Sequence, residues 1–254
     1  MSIKFTIIIT AEKKERYILE TIKSCLKQSL LRKFRIIVVY SKLNNEKLVK
    51  NRFLDLKNLI FLKCPLKKIS PTNDQLFKIE MATKFLKDEW VLLLDGDDLF
   101  LEKKLKTLQT LNLNKNKVYL HDHQIITGKT LSNSTKHKNY KKLFLYKFLF
   151  NDWPEKINTS SILLSSKTLK NFYKIANPYQ WKYLAIDVQL VLYFYYKNKF
   201  VFLSKILTLK RENINNLDKK YSNYFSKIYW LRRLEQHNMT EKNSHKKNFF
   251  DRVI

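Results

Sequence analysis

Asp95, Asp97 and Asp98 crowd one turn at the end of the apolar run Trp90–Leu94, in the order Trp-Val-Leu-Leu-Leu-Asp-Gly-Asp-Asp. Acids packed this closely repel one another and cost stability unless a cation shares the turn. Mg²⁺ or Mn²⁺ suits such a place, because hard cations take oxygen ligands and pair one or two carboxylates with substrate phosphates. The pattern predicts a metal–diphosphate site at the carboxyl end of a buried strand, where open α/β sheets bind their ligands. Asp-Gly is also a hairpin signal, so a solvated turn is the competing expectation. A helix is expected from near Leu101.

The elements that must hold this turn are legible upstream of it. Lys4–Thr10 and Arg35–Tyr40 are continuous apolar or β-branched runs, and Leu59–Leu62 is a shorter one. Between them, Ile18, Ile22, Cys25 and Leu26, and then Leu48, Val49, Phe53 and Leu56, recur at helical spacing. Asp74 is placed to cap a third helix carrying Leu76, Ile79, Ala82, Phe85 and Leu86 on one side. Strands apolar on both faces, alternating with helices, predict an α/β fold with a mostly parallel central sheet covered on both sides. Beyond a strand near Lys117–Thr127 the regularity loosens into a polar loop (Gly128–Lys138), aromatic helices and short strands.

Fifty Lys and Arg against 22 Asp and Glu give a formal charge of +28, which favours a polyanionic partner such as a nucleotide or an anionic lipid surface. The basic residues are dispersed, and no zinc finger, RNA-binding aromatic signature or basic zipper accompanies them, so no specific nucleic acid is expected. Cys25 and Cys64 lie far apart and fit a reducing compartment. No signal peptide is visible, and Lys147 interrupts the apolar stretch Leu143–Phe150. The expected location is cytoplasmic; a basic, aromatic helix over Lys219–Leu234 either packs on the domain with its charges in water or lies peripherally on the inner face of an anionic membrane.

Three segments resemble the family 2 glycosyltransferases, inverting enzymes of the GT-A (Rossmann-like) fold. They are Phe5–Thr10 with Tyr17–Ser29, then Trp90–Phe100, then Tyr183–Leu192 with Lys199–Leu203 and Leu207–Arg211. The resemblance implies a nucleotide-sugar-binding half (1–127), an acceptor-binding half of the same domain (128–213) and a helical C-terminal extension (214–254). It implies a UDP- or GDP-linked donor, a glycan or lipid-linked acceptor, and Mg²⁺ or Mn²⁺ held by Asp97 or Asp98. Thr10, Ala11, Tyr40, Lys78, Asp95, Gly96 and Asp97 would contact the donor, with Asp95 nearer the ribose. Asn158, Thr159 and Ser160 resemble the family's small-hydroxyl segment on the acceptor side, and equally fit a turn whose hydroxyls bond the backbone. Trp181 is expected on the acceptor side, where Trp153 and Trp181 form either a platform for a sugar ring or part of the core.

Inverting transfer needs a base opposite the leaving group, and Asp187 fills that place in the resemblance. On a helix it shares a face with Tyr183, Leu190 and Phe194, where a lone carboxylate is costly unless functional or paired. The chain departs from the family in several places. Tyr40-Ser41 stand where an acid usually follows strand two, Thr10-Ala11-Glu12-Lys13 replace Pro-x-Tyr-Asn, and Lys78-Ile79-Glu80 replace an Arg-Asn pair. Lys13, Lys14 and Lys78 are the cations placed to take over contacts to the diphosphate. A catalytically weak structural subunit is therefore the alternative to an active enzyme. His121-Asp122-His123 has spacing that can bind a metal but lacks a third ligand in pattern.

Overall fold

The computed structural model describes residues 4–12, 17–29, 34–67, 69–128, 130–132, 157–197, 199–212, 223 and 225–244. In chain order these form β1 (Phe5–Ala11), α1 (Ile18–Leu26), β2 (Phe34–Tyr40), α2 (Glu46–Asn51), β3 (Leu59–Lys63), α3 (Pro71–Thr83) and β4 (Trp90–Asp95). There follow β5 (Leu99–Phe100), α4 (Lys104–Gln109), β6 (Val118–Thr127), β7 (Thr130–Leu131) and a 3₁₀ turn (Thr159–Ser161) leading into β8 (Ile162–Ser165). The remainder is α5 (Ser166–Ala176), a second 3₁₀ turn (Pro178–Gln180), α6 (Ile186–Tyr195), β9 (Phe200–Arg211) and α7 (Lys227–Ser244).

One sheet runs through both halves of the chain in the order β3-β2-β1-β4-β8-β6-β9-β5, with β7 on the side of β6. The first four strands are parallel, in a register that aligns Thr10 with Asp95 and Ala11 with Tyr40. The later pairings mix directions, β8 running antiparallel to both β4 and β6. The parallel half is buried on both faces, which explains its unbroken apolar strands. Ile7, Ile9, Ile36, Val38, Leu92 and Leu94 pack with α1, α2 and α4, whereas Ile8, Ile37, Val39, Val91 and Leu93 pack with α3, α5 and α6. Each such fully buried aliphatic side chain contributes about 1.5–3 kcal/mol by leaving water.

Local signals set the element ends. Ser70, not Asp74, caps α3, its Oγ accepting from Asn73 N at 3.2 Å with Pro71 at the first helical position. Asp74 instead lies inside the first turn and pairs with Lys78. The helix expected from Leu101 starts at Lys104, because Leu99–Phe100 are drawn into a short strand against β9. That pairing also overturns the hairpin reading of Asp95–Asp98, since the chain leaves the turn for a different strand. Leu48 is exposed, so α2 buries only Val49 of the apolar set within it.

Beside the end of β2, the Tyr40 hydroxyl donates to Glu46 Oε1 at 2.7 Å, and Lys50 and Lys63 donate to the same carboxylate at 2.9 and 3.2 Å. Hydrogen bonds from Lys50 and Tyr40 hold Glu46 down at about 2 against an ordinary 4.5. A carboxyl with a depressed folded pKa stabilises the fold above its unfolded value and loses that contribution as pH falls toward the folded value. The stability advantage of the wild type over Glu46→Gln therefore shrinks as pH drops from about 4.5 to about 2. Urea unfolding of both proteins at a series of pH values checks this, and a constant gap contradicts it.

Candidate functional site

The site is built at the carboxyl edge of β1 and β4. Asp95 ends β4, and Asp98 N donates back to Asp95 O at 3.1 Å, closing a tight turn. Gly96 is fixed from two sides, its N–H on Thr10 O at 3.0 Å and its carbonyl accepting from Thr21 Oγ1 at 2.9 Å. The turn is thereby tied to β1 and α1 before any ligand arrives.

The three acids have different surroundings. Asp98 is buried, with Oδ2 accepting from Ser160 Oγ at 2.7 Å and Asn158 Nδ2 at 3.0 Å, and Oδ1 accepting from Arg211 N at 2.8 Å. It faces into the protein, contrary to the sequence expectation of an ion-facing acid, because three donors from distant segments surround it. Asp95 is half-buried and its Oδ1 accepts from Gln75 Nε2 at 2.7 Å. Burial, then the charges of Asp98, Asp97 and Asp187, push the Asp95 carboxyl well above the usual carboxylate range, while Lys210 opposes them. Asp97 is half-buried, and its carbonyl accepts from Arg211 Nε at 3.0 Å.

Asp187, distant in sequence, lies within electrostatic reach of Asp95 and adds to the upward push on its carboxyl. It lies in the first turn of α6, half-buried, with Oδ1 accepting from Val188 N at 2.7 Å. An acid there is also favoured by the helix dipole. Asp97, Asp98 and Asp187 thus all lie near enough for their charges to act on Asp95, with Lys210 opposing them from the end of β9.

Other expected contacts are placed differently. Lys78 is buried between Ala11 O, to which it donates at 3.0 Å, and the Asp74 carboxylate at 2.6 Å. It serves as a tie from α3 to β1 rather than as a cation for a diphosphate. Tyr40 is fully buried on the α1–α2 side, its strand parity matching Ile36 and Val38, so its ring is withdrawn from the donor edge. Thr10 is nearly buried and its Oγ1 accepts from Gln75 Nε2 at 3.4 Å; Ala11 is fully buried. Asn158, Thr159 and Ser160 are buried too, and Asn158 and Ser160 brace Asp98 instead of lining an acceptor surface. Trp181 packs into the core on the α3–α6 side and offers no platform. Lys13, Lys14 and Trp153 lie outside the described residues.

The sequence assigns no role to several residues of the site. Gln75 bridges Asp95 and Thr10. Arg211 staples the turn to α1, its guanidinium on Glu20 Oε2 at 2.7 Å and over the Tyr17 ring at 3.9 Å. Lys104 is fully buried under the turn, donating to Ser160 O at 2.8 Å and Thr208 Oγ1 at 2.9 Å, and desolvation pushes its pKa well down. His121, Asp122 and His123 are all buried at an irregularity in the β6–β9 register, so the simple alternation that would align two imidazoles is broken.

Among the described residues no group of three His, Cys, Asp or Glu side chains forms a cage for a metal ion. Mg²⁺ and Mn²⁺ at phosphate sites need no such cage, since they take one or two carboxylates and complete their shell with phosphate and water. A half-buried Asp97 next to Asp95 in the turn fits an ion of that kind, and the buried Asp98 fits it less well.

The arrangement of sheet and helices is that of the GT-A class: an α/β fold with a curled mixed sheet flanked by helices. The chain is similar to solved structures of S. aureus TarS. A 1–349 form in complex with UDP-GlcNAc superposes with a TM-score of 0.67 at 18% identity, over 98% of this chain and 69% of that one. The 1–349 form with UDP gives 0.61 at 17%, over 94% and 70%, and a further TarS structure gives 0.61 at 18%, over 95% and 44%. No family model and no curated protein matches the chain.

Proposed function

We propose that the protein is a metal-dependent inverting glycosyltransferase. It moves a sugar from a UDP-linked donor to a glycan or lipid-linked acceptor in surface polysaccharide synthesis. The observation that carries this reading is the acidic turn at the carboxyl edge of β1 and β4, with Asp187 in the first turn of α6 within electrostatic reach of Asp95, on a fold shared with a protein solved with UDP-GlcNAc and with UDP.

In this reading the residues divide the work. Asp97 would hold the Mg²⁺ or Mn²⁺ that accompanies the diphosphate, and Asp95, steadied by Gln75, would lie toward the ribose. The ion supplies Lewis-acid stabilisation of the charge that develops on the departing nucleotide. Asp187 takes the proton from the acceptor hydroxyl as that oxygen attacks the anomeric carbon from the face opposite the nucleotide. Asp98 keeps the turn in shape through Ser160, Asn158 and Arg211.

Among the described residues no helix is long and apolar enough to cross a membrane. A cytoplasmic location with peripheral contact at an anionic membrane fits the outer side of α7 and the residues before it. Phe225, Ile228, Trp230 and Leu234 are exposed there beside Lys227. A panel of UDP- and GDP-sugars, screened for thermal stabilisation with and without Mn²⁺, tests the proposal. A shift with a UDP-sugar that needs the metal is expected; a shift with none of them favours an inactive subunit.

A further inference from the structure

The turn that presents Asp187 is held from outside the two halves of the sheet. Glu235 of α7 accepts from three successive backbone N–H groups, Lys182 at 2.9 Å, Tyr183 at 2.7 Å and Leu184 at 3.2 Å. Successive amides aimed at one carboxylate form a concave anion nest. The carbonyls of the same turn are held as well: Thr72 Oγ1 of α3 donates to Lys182 O, and Gln189 Nε2 donates to Leu184 O at 2.8 Å. Leu184 and Ile186 are fully buried, so the chain between the clamp and Asp187 has little room to shift.

Helix α7 is itself seated. Gln236, Met239 and Thr240 form its buried stripe, with Met239 in the core beside α6, while Leu234 and Trp230 face outward. Glu235 stands at the border of that stripe and spans to the turn. Desolvation pushes its carboxyl up, and the three amides pull it back. A side chain serving only to seat α7 would not need both oxygens committed to a turn three residues ahead of the candidate base.

We propose that Glu235 is a positioning residue for Asp187, so that α7 belongs to the catalytic unit instead of being an appendage. The inference rests on the reading of Asp187 as the base. Glu235 touches neither the β1–β4 edge nor the acidic turn, so its effect falls on turnover and not on donor affinity. A misplacement on the order of 1 Å at a reacting group can cost about 10²-fold.

The test compares Glu235→Ala and Glu235→Gln with the wild type, using UDP-GlcNAc as donor. Expected is a kcat loss of about 10²-fold in the alanine variant. The glutamine variant, which keeps one acceptor oxygen but turns an NH₂ toward the amides, should lose less. UDP affinity should stay within about twofold, the site of its binding being untouched. Backbone amide exchange over 182–190 should quicken in the same order. If Glu235→Ala does not fold, Glu235→Gln carries the comparison alone. Unchanged kcat or unchanged exchange in a folded variant overturns the proposal. A wild type inert toward every nucleotide sugar contradicts the transferase reading itself, whereas an active wild type insensitive to both changes contradicts only the role of Glu235.

Discussion

Replacing Asp187 with Asn lowers kcat by about 10²–10⁴-fold, the range for loss of a positioned general base, and leaves donor affinity nearly unchanged. The substitution suits the local geometry. Asp187 Oδ1 accepts from Val188 N at 2.7 Å, and the amide oxygen of Asn can accept the same bond. What disappears is the capacity to take a proton, together with one negative charge near Asp95. Steady-state transfer kinetics on the variant check this. A fall in kcat and kcat/KM together, with UDP binding intact, places the loss in the transition state. A variant that transfers sugar at the wild-type rate removes Asp187 from the mechanism.

The second large effect separates two neighbours. Asp98→Ala strips the acceptor from Ser160 Oγ, Asn158 Nδ2 and Arg211 N, all of them gathered around a buried carboxylate. Each unsatisfied buried donor costs about 1–3 kcal/mol, and part of the loss is recovered by relaxation and by relief of repulsion on Asp95. A net destabilisation of roughly 3 kcal/mol is expected. Asp97→Ala, at a half-buried position, should change stability by no more than about 0.5 kcal/mol yet abolish metal-dependent donor binding. Urea unfolding and donor titration on the two variants form the check. Equal stability losses would mean that the turn is not divided between an inner and an outer acid.

The parallel half of the fold was legible because its strands are buried on both faces, so Ile7–Ile9, Ile36–Val39 and Val91–Leu94 read as unbroken apolar runs. The acidic turn and Asp187 stand out in the sequence for the opposite reason, as carboxylates set against apolar surroundings. The same continuity hid the direction of single side chains. A run with no polar alternation does not say which face Tyr40 takes, and its parity with Ile36 and Val38 turns it inward. The bracing of Asp98 was hidden by distance, since Ser160 is 62 residues away and Arg211 is 113. Asn158, Thr159 and Ser160 fit an acceptor-side segment and a self-bonded turn equally well by sequence; the Asn158 amide and the Ser160 hydroxyl are consumed internally. Lys104 was unreadable, for a lysine beside Leu105 and Leu108 has the pattern of a surface residue flanking a core. Glu235 falls just beyond the basic, aromatic segment Lys219–Leu234, and the buried stripe of Gln236, Met239 and Thr240 is too polar to announce packing.

Calorimetric titration of UDP into the protein, with Mn²⁺ present and with Mn²⁺ chelated, tests the central claim most directly. The account predicts saturable binding that requires the metal in the wild type, and its loss in Asp97→Ala at unchanged thermal stability. Binding of equal strength without the metal, or binding that survives Asp97→Ala, would contradict the assignment of the acidic turn as the place where a divalent ion meets the diphosphate.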